Sequence, residues 1–362
     1  AWVEAGVITA EFQAEVEKRG LFYPPDPSSH KYSTIGGNVA CNAGGPRCLK
    51  YGVTGDYVLG MKVVLADGRI LRTGGKVIKN ATGYNLSRFF IGTEGTLGVI
   101  TEVLLKLISK PRYASTAFAV FPKIEDAGRA VHRILLAGII PASIELMDQT
   151  TIGTVEEYLH LGLPTWAEAI LILESDGNQE EAVSREIEAI ARICRENGAV
   201  EVKVAKDEAE RNNLWKARRS VSPSLARRAP NKLGEDITVP RSRVPDAVRR
   251  IREISEKFGL PIAVFGHAGD GNLHPNILFD KRKPEDMERV EKITEEIFRT
   301  AVELGGVLSG EHGVGVLKQP FLEMAVGPVA IEVMKAIKQA LDPKGILNPG
   351  KVIPLGVPWR GE

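Results

Sequence analysis

A β-hairpin predicted around residues 267–274 constrains the fold of this chain more than any other feature of its sequence. The apolar segments 260–265 and 276–279 flank the octapeptide HAGDGNLH, and both have the composition of strands. Asp270-Gly271 at the centre is a strong signal for a two-residue hairpin turn. The pattern therefore predicts two antiparallel strands joined by a tight turn.

The predicted hairpin places two histidines face to face. With Asp270 and Gly271 as the turn residues, His267 lies directly opposite His274, and their Cβ atoms are about 5 Å apart. Asn276 shares their face, because side chains alternate along a strand. Two neutral imidazoles so placed can hold a metal, although the same residues also fit a surface hairpin or a satisfied core histidine.

A second glycine-bounded loop, SGEHGVG at residues 309–315, supplies a candidate third ligand. Glu311 would complete a set of two histidines and one carboxylate with an open coordination position, which is the catalytic pattern for zinc. Manganese and iron accept the same ligands, so the sequence does not choose the metal. His312 would lie beside the metal, where an imidazole can take up a proton near neutral pH. Taken alone, the Glu-His pair also fits an ordinary solvated loop.

The composition excludes several classes of protein. The chain has 362 residues, 43% hydrophobic and 26% charged, which is typical of a globular chain large enough for two domains. Its formal net charge is +1, with basic residues scattered among acidic ones, so nucleic acid and anionic membranes are not expected partners. No apolar run is long enough to cross a membrane. Three cysteines without metal-type spacing indicate a reducing compartment and favour a cytoplasmic location.

The composition and the hydrophobic pattern of the sequence change at Pro111. This change predicts two domains of an α+β protein. Residues 1–110 are rich in glycine, with one short helix at 9–19 and strands within 57–71 and 97–108. From residue 111 onward, strands and amphipathic helices alternate, as in a ferredoxin-like α+β sheet domain. The predicted elements there are strands at 114–121, 169–174, 199–205 and 235–239, helices at 124–137, 180–196, 244–258 and 284–304, and a helical stretch around Trp215.

Glycine and asparagine are concentrated in two parts of the first domain. One part runs from PPDPSS at 24–29 to TIGGNVACNAGG at 34–45, and the other is IGTEGTLGVI at 91–100. Such backbone can approach a large flat or phosphorylated ligand closely and offer main-chain N–H donors, although a set of tight turns would look the same. Neither part has the pattern of a Walker loop or of a GxGxxG turn that opens a helix, so nucleotide binding of those kinds is not indicated.

Six motifs, found in order along the chain, resemble those of a known family. They are PPDPSS at 24–29, IGGNVACNAGG at 35–45, GTEGTLGVITEV at 92–103, HAGDGNLHP at 267–275, SGEHGVG at 309–315 and LDPKGILNPGK at 341–351. The chain is similar from end to end to the FAD-linked oxidases of the vanillyl-alcohol-oxidase type. Within that family it resembles the branch of glycolate oxidase flavin subunits, D-lactate dehydrogenases and D-2-hydroxyglutarate dehydrogenases.

The resemblance implies a flavoprotein with a divided FAD domain. Residues 1–110 would be the later part of the FAD-binding domain, residues 111–340 a ferredoxin-like cap domain for substrate and metal, and residues 341–362 a segment that returns to the flavin. The residues that would line the FAD are Pro25, Asp26, Ser28, Ser29, Gly36, Gly37, Asn38, Asn42, Gly44, Gly45, Glu94, Gly95, Leu97, Gly98, Ile100 and Asn348.

The resemblance also implies roles for the polar residues of the two loops. The implied roles are metal ligation by His267, His274 and Glu311, a substrate contact by Asn276, and proton uptake by His312 as the base. Arg218 matches an arginine that pairs with the substrate carboxylate, a task for which a bidentate guanidinium is suited. Arg219 is an equal candidate on geometric grounds.

The activity implied is the oxidation of a D-2-hydroxy acid of the glycolate or D-lactate type to the 2-oxo acid. The metal would activate the hydroxyl group, and the α-hydrogen would leave as hydride to the flavin. An iron-sulfur or electron-transfer flavoprotein subunit would then take the electrons, with oxygen as the alternative acceptor. Such a partner could also bring the protein to the inner membrane, and a homodimer is a further expectation.

One departure from the family pattern leaves other hypotheses open. Family members begin with a further part of the FAD domain, which holds the glycine-rich diphosphate loop, whereas this chain starts downstream of that part at Ala1. The chain is then expected to be a fragment or subunit that depends on the missing part. A third hypothesis is a metal-dependent hydrolase, in which the same ligands activate water and the glycine-rich segments hold a phosphorylated substrate.

Overall fold

The structure of this protein, a computed structural model, describes residues 1–354. The chain forms two units: residues 1–110 together with the chain from 308 onward make unit 1, and residues 111–307 make unit 2. The first boundary lies at Pro111, where the composition of the sequence changes. The second lies at Leu308 rather than at the expected residue 341, because the long C-terminal helix belongs to unit 1. The last part of the expected 341–362 segment lies outside the described residues.

Residues 1–110 of unit 1 form short strands and helices. The elements are β1 (Trp2–Glu4), α1 (Thr9–Glu17), β2 (Leu21–Phe22), α2 (Ile35–Cys41), α3 (Cys48–Tyr51), β3 (Val58–Val64), β4 (Ile70–Gly74), α4 (Leu86–Phe90), β5 (Val99–Leu105) and β6 (Ile108–Ser109). Four strands form an antiparallel sheet in the order β1-β5-β3-β4, and β2 pairs with β6. Met61, Val63 and Val103 of this sheet lie in the core, and the predicted early helix and strands are confirmed.

The glycine-rich segment at 34–45 is helical in its first half, although its composition predicts a loop. Thr34 caps α2 by accepting a hydrogen bond from Gly37 N at 3.1 Å. The helix ends at Asn42, which has a left-handed φ of 54°. The burial of Ile35 and Val39 in the core offsets the poor helix propensity of the two adjacent glycines.

Unit 2 contains both strands and helices along its whole length. Its elements are β7 (Tyr113–Phe121), α5 (Ile124–Leu136), β8 (Ser143–Asp148), α6 (Gln149–Leu159), β9 (Ala169–Gly177), α7 (Glu180–Glu196), β10 (Glu201–Val204), α8 (Glu208–Arg219), α9 (Val221–Arg228), β11 (Asn231–Gly234), β12 (Ile237–Thr238), α10 (Val244–Phe258), β13 (Ile262–His267), β14 (Asn272–Phe279) and α11 (Pro284–Glu303). All these strands join one eight-stranded sheet in the order β10-β7-β9-β8-β13-β14-β11, with β12 also paired to β14.

The first half of this sheet has the ferredoxin-like arrangement that the sequence predicts. The chain order is β7-α5-β8-β9-α7-β10, with α6 inserted between β8 and β9. The four strands take the spatial order β10-β7-β9-β8, and every pair is antiparallel. The second half repeats much of the pattern, since α10 precedes the β13-β14 hairpin and α11 follows it. The two halves join where β8 pairs with β13.

Helices α6, α8 and α9 cover one face of the sheet. Met147 of β8 and Phe265 of β13 project from this face into a core that also contains Ile152 of α6, Ala217 of α8 and Val221 of α9. The apolar packing fixes α8 on the sheet, because burial of such side chains stabilises the fold by about 1.5–3 kcal/mol each. This face carries the candidate site described below.

The sequence pattern does not predict β8, α6 or the long C-terminal helix, α12 (Leu322–Leu341). All six residues of β8 are buried, including two carboxylates, so the strand shows neither apolar alternation nor an apolar run. Gly327 and Pro328 interrupt α12, and that break obscures its helical pattern. None of the described helices combines the length and apolar character that a membrane crossing requires.

Asp148 generates a prediction about stability and pH. Burial raises the pKa of its carboxyl from 3.8 to about 6, although the group caps α6 by accepting from Thr151 N at 2.8 Å. Because the folded chain holds this proton more tightly than the unfolded chain, the stabilising contribution is full below the unfolded pKa and is lost as the pH rises through about 6.

Asp148→Asn keeps the cap and removes the ionisation. We expect the free energy of unfolding of this variant, relative to wild type, to rise by about 2–3 kcal/mol between pH 4 and pH 7, since one pKa unit corresponds to about 1.4 kcal/mol. Urea unfolding at the two pH values measures the difference. A difference that does not change with pH would show that Asp148 titrates normally.

Candidate functional site

The hairpin of β13 and β14 has a longer turn than its sequence predicts, and the predicted two-residue turn is wrong. The turn spans residues 268–271, and the strand ladder begins with His267 opposite Asn272. Gly271, the last residue of the turn, donates its N–H to His267 O at 2.9 Å, and this hydrogen bond closes the longer turn. His274 therefore lies opposite Phe265, and the two histidines are diagonal neighbours on one face of the sheet.

The two imidazoles meet in spite of the different register. The ring centroids of His267 and His274 are 5.2 Å apart at 85°, and their Nε2 atoms are 3.4 Å apart. Both residues are buried, with 3% and 8% of their surfaces exposed. Two imidazole nitrogens on one tetrahedral metal, each at about 2.0–2.1 Å, are separated by about 3.4 Å. The pair therefore has the spacing that a single metal ion requires.

Glu145 lies next to His267 in the sheet and binds its other ring nitrogen. Strand pairing places the two residues opposite each other, and Glu145 Oε1 is 2.5 Å from His267 Nδ1. Burial opposes ionisation of this fully buried carboxyl, but the neighbouring His267 and Arg218 outweigh burial and hold its pKa below the usual value. A carboxylate at Nδ1 favours the tautomer with its proton there, which leaves Nε2 as the metal-binding atom.

His274 has a similar environment. Its Nδ1 atom is 3.9 Å from Asp236 Oδ1, and Asp236 is completely buried. The same carboxylate oxygen accepts a hydrogen bond from Asn272 Nδ2 at 2.5 Å. Both histidines thus have a buried carboxylate on the Nδ1 side and direct Nε2 toward each other.

Arg218 of α8 points toward the same face of the sheet. Its Nε atom forms an ion pair with Glu145 Oε2 at 2.7 Å, without a well-directed hydrogen bond. Its guanidinium group stacks on Phe265, with Cζ 4.7 Å from the ring centroid. Arg219 is different, because it is exposed and donates to the backbone oxygens of Trp215 and Asn212 in its own helix. The geometry therefore separates the two arginines that the sequence left equal, with Arg218 beside the histidines.

Trp215 anchors the helix that carries Arg218. Its Nε1 donates to Glu174 Oε2 at 3.0 Å, and Thr116 Oγ1 donates to the same oxygen at 3.0 Å. Glu174 and Thr116 lie opposite each other on β9 and β7. The helix is thus tied to strands β7 and β9 by a partly buried polar contact as well as by apolar packing.

Asn276 occupies the same face, two residues beyond His274. Only 4% of its surface is exposed, and its Nδ2 donates to His274 O at 3.0 Å. Lys232 lies on the neighbouring strand β11 opposite Leu278, and its Nζ donates to Ser222 Oγ at 2.6 Å. Burial lowers the pKa of Lys232 and so disfavours its charged form; this lysine is a second basic side chain on the same face, in addition to Arg218.

The sequence pattern does not identify Glu145, Asp236 and Lys232 as site residues. Glu145 and Lys232 reach the histidine face through pairing between strands that are distant in sequence. Asp236 lies in the link between β11 and β12, and both of these strands pair with β14. A buried acid within an apolar segment, such as Glu145 in SIELMD at 143–148, is the one signal that could have drawn attention to the first of these three residues.

In unit 1, Glu94 holds the loop that carries Glu311 and His312. Its two carboxylate oxygens accept hydrogen bonds from Val314 N at 2.6 Å and Gly315 N at 2.9 Å. The backbone oxygen of Glu94 accepts from Asn348 Nδ2 at 2.5 Å. Unit 1 therefore brings together three of its predicted site segments: the 91–100 segment, the 309–315 loop and the Asn348 region.

Several polar side chains expected at the FAD hold unit 1 together. The buried Asn38 donates to Thr9 Oγ1 at 2.7 Å, and Asn42 Oδ1 accepts from Gly55 N at 2.9 Å. Asp26 pairs with Arg47 at 3.5 Å. Leu97 is in the core, and a Cβ on Gly98 would lie 2.4 Å from Val63. The FAD contacts of these residues, and of Pro25, Ser28, Ser29, Gly36, Gly37, Gly44, Gly45, Gly95 and Ile100, stay predictions.

Comparison with known families gives two matches along the chain. Residues 110–352 match the family described as FAD linked oxidases, C-terminal domain, and residues 1–74 match an FAD binding domain. The chain is 51% identical over 352 residues to the glycolate oxidase subunit GlcD of Bacillus subtilis, covering 97% of this chain and 75% of that protein. It is 35% identical over 357 residues to a D-lactate dehydrogenase of Anaerostipes hadrus, with coverages of 97% and 75%.

A solved structure supports the fold. p-Cresol methylhydroxylase with bound substrate superposes with a TM-score of 0.78 over 99% of this chain and 77% of that chain, at 17% identity. At this identity the likeness concerns the fold alone. The chain therefore has the architecture of that enzyme, in agreement with the predicted α+β class.

Proposed function

The chain belongs to the FAD-linked oxidases, and on that premise we propose that it oxidises a D-2-hydroxy acid of the glycolate or D-lactate type. The observation that carries the proposal is the buried pair of Nε2 atoms, 3.4 Å apart, beside the cationic side chain of Arg218. The names of the two relatives, glycolate oxidase and D-lactate dehydrogenase, support the same class of substrate.

We propose that a divalent metal, zinc or alternatively manganese or iron, binds to His267, His274 and Glu311. The spacing of the two histidines and the carboxylates on their Nδ1 sides fit such an ion. When bound, the metal would act as a Lewis acid that lowers the pKa of the substrate hydroxyl. Two histidines and one carboxylate would leave a coordination position open for that hydroxyl.

Arg218 is the proposed binding group for the substrate carboxylate. Glu145 contacts the Nε edge of the guanidinium group, and Phe265 contacts one face of that group. The terminal amino groups are therefore the part of the guanidinium that is left to form a bidentate contact. Asn276 is the proposed second contact to the substrate. Its Nδ2 donates within the chain, and its amide oxygen is an acceptor suited to a hydroxyl group.

His312 is the proposed base. It would take the hydroxyl proton as the α-hydrogen leaves, because an imidazole accepts protons near neutral pH. Its loop is tied by two backbone hydrogen bonds to Glu94 within unit 1. A base on a fixed loop loses less entropy on reaching the productive geometry than a base on a mobile one.

We propose that unit 1 contacts the FAD mainly through its backbone. When bound, the flavin would accept the substrate hydride. The side chains of Asn38, Asn42 and Glu94 are used inside unit 1. Apart from Gly95 itself and its two chain neighbours, no described residue has a heavy atom within 4 Å of a Cβ placed on Gly95. The Glu94-Gly95 backbone, with φ of 51° and 72°, therefore offers open space and main-chain groups to a flat ligand.

A partner subunit is the proposed destination of the electrons. The Bacillus relative is named as a subunit, and an iron-sulfur or electron-transfer flavoprotein partner would reoxidise the flavin without NAD. Reoxidation by oxygen is the competing route. The rate of reoxidation in air, compared with that in the presence of the partner, distinguishes the two.

Absorbance of the full-length protein tests the proposed function. We expect a flavin band that bleaches under anaerobic conditions when glycolate or D-lactate is added, and no bleaching with the L-enantiomer of lactate. His267→Ala and His274→Ala should retain the band, lose bound metal and lose most of the bleaching. A protein without flavin that hydrolyses phosphate esters would favour the hydrolase hypothesis, and rapid bleaching in metal-free wild type would contradict the role of the metal.

Arg218 and Arg219 give a matched pair of variants. Arg218→Lys keeps the charge but loses the planar fork, so we expect kcat/KM to fall about 10- to 100-fold, the equivalent of about 1.4–2.8 kcal/mol. Arg219→Lys, on the exposed side of the same helix, should leave kcat/KM unchanged. Steady-state kinetics with D-lactate measures both, and equal effects of the two substitutions would contradict the choice of Arg218.

A further inference from the structure

One buried carboxylate, Glu145, contacts both halves of the candidate site in unit 2. Its Oε1 atom is 2.5 Å from His267 Nδ1, and its Oε2 atom is 2.7 Å from Arg218 Nε. None of its surface is exposed. Glu145 therefore joins a proposed metal ligand to the proposed carboxylate-binding arginine.

The burial of Glu145 is costly unless both of its oxygens are matched. An isolated carboxylate in a protein interior is strongly disfavoured, and only well-placed cations or hydrogen-bond donors compensate for the lost hydration. Glu145 has one such partner at each oxygen, in the middle of strand β8. An apolar residue at this position would pack as well in a core strand, so packing alone does not account for a glutamate.

We propose that Glu145 is a positioning residue for both sides of the reaction. It fixes His267 in the tautomer with the proton on Nδ1 and the lone pair of Nε2 toward the metal, and it holds Arg218 by its Nε edge with the terminal amino groups toward the substrate. This inference rests on the proposed function, because it takes His267 as a metal ligand and Arg218 as a substrate contact.

The environment of the second histidine supports this interpretation. His274 also has a buried carboxylate, Asp236, on its Nδ1 side. The two rings thus converge through Nε2 at 3.4 Å while each Nδ1 faces an acid. Carboxylates behind metal-binding histidines orient the ring and raise its basicity, and here Glu145 performs that task for His267 while also holding Arg218.

A glutamine at position 145 would keep the size of the side chain but could satisfy only one of the two partners. Its amide oxygen can accept from His267 or lie against Arg218, and its NH2 group would then meet the donor of the other partner. Glu145→Gln should therefore free either the ring of His267 or the guanidinium of Arg218. Glu145→Asp keeps the charge with a shorter reach, and should restore part of the loss.

Metal affinity of the full-length protein is the first measurement. Competition between the protein and a chelating dye for zinc should show a dissociation constant that rises about 10- to 100-fold in Glu145→Gln. The matched control is Glu174→Gln, which alters another buried carboxylate on the adjacent strand β9. This control should bind zinc like wild type, because Glu174 contacts Trp215 and Thr116 and not a histidine.

The tautomer of His267 is the second measurement, and it requires neither metal nor turnover. In metal-free wild type labelled with 15N-histidine, the neutral ring of His267 should carry its proton on Nδ1, and His267→Ala identifies its signals. Glu145→Gln should give a mixture of both tautomers, whereas Glu174→Gln should not. A merely structural role of Glu145 would not move this signature.

The outcomes separate the inference from the proposed function. If wild type binds zinc through His267 but Glu145→Gln binds it equally well, or if His267 of wild type carries its proton on Nε2, the inference is overturned and the metal site stands. If His267→Ala binds zinc as tightly as wild type, the proposed metal site fails and the inference fails with it. If Glu145→Gln does not fold, the tautomer of His267 in wild type and the zinc affinity of Glu145→Asp still test the inference.

Discussion

The register of β13 against its two neighbours sets the positions of Glu145, His267, His274 and Asn276 relative to one another. His267 pairs with Glu145 of β8 on one side and with Asn272 of β14 on the other. A slip of one residue in either pairing would turn the histidine or its partner to the opposite face of the sheet. The register is held by a fully buried strand on one side and by the short hairpin on the other, so the site depends on backbone hydrogen bonds before any side chain is considered.

Polar groups in the core of unit 2 have a cost in lost hydration, and they also allow only this arrangement of partners. Glu145, Asp236, His267 and Arg218 are all buried or nearly so, and each loses hydration that only its neighbours can replace. A chain selected for stability alone would place apolar residues on this face, as it does along the adjoining core around Met147. The cluster is thus best explained by what it does, namely to direct two imidazole nitrogens and one guanidinium group toward a common region.

The sequence predicts the local parts of this account and misses the parts that depend on distant strands. The strand composition and the Asp-Gly pair identify the hairpin, and alternation places His267, His274 and Asn276 on one face. The turn length depends on a hydrogen bond from Gly271 N to His267 O, which the dipeptide signal does not reveal. Glu145 precedes its partner by 122 residues, so no local pattern connects them. In unit 1, core burial of Ile35 and Val39 makes a helix of a segment whose glycines predict a loop.

The most direct test is anomalous diffraction from crystals of the full-length protein grown with zinc and collected above and below the zinc edge. The account predicts one strong anomalous peak bonded to the Nε2 atoms of both His267 and His274, at about 2.0–2.1 Å from each. In the same map Glu145 should remain on His267 Nδ1. The central claim is that the paired imidazoles are arranged to hold a metal. It would be contradicted by a zinc ion bonded to only one of the two histidines, by a zinc ion bonded to an Nδ1 atom, or by the absence of a peak at this pair.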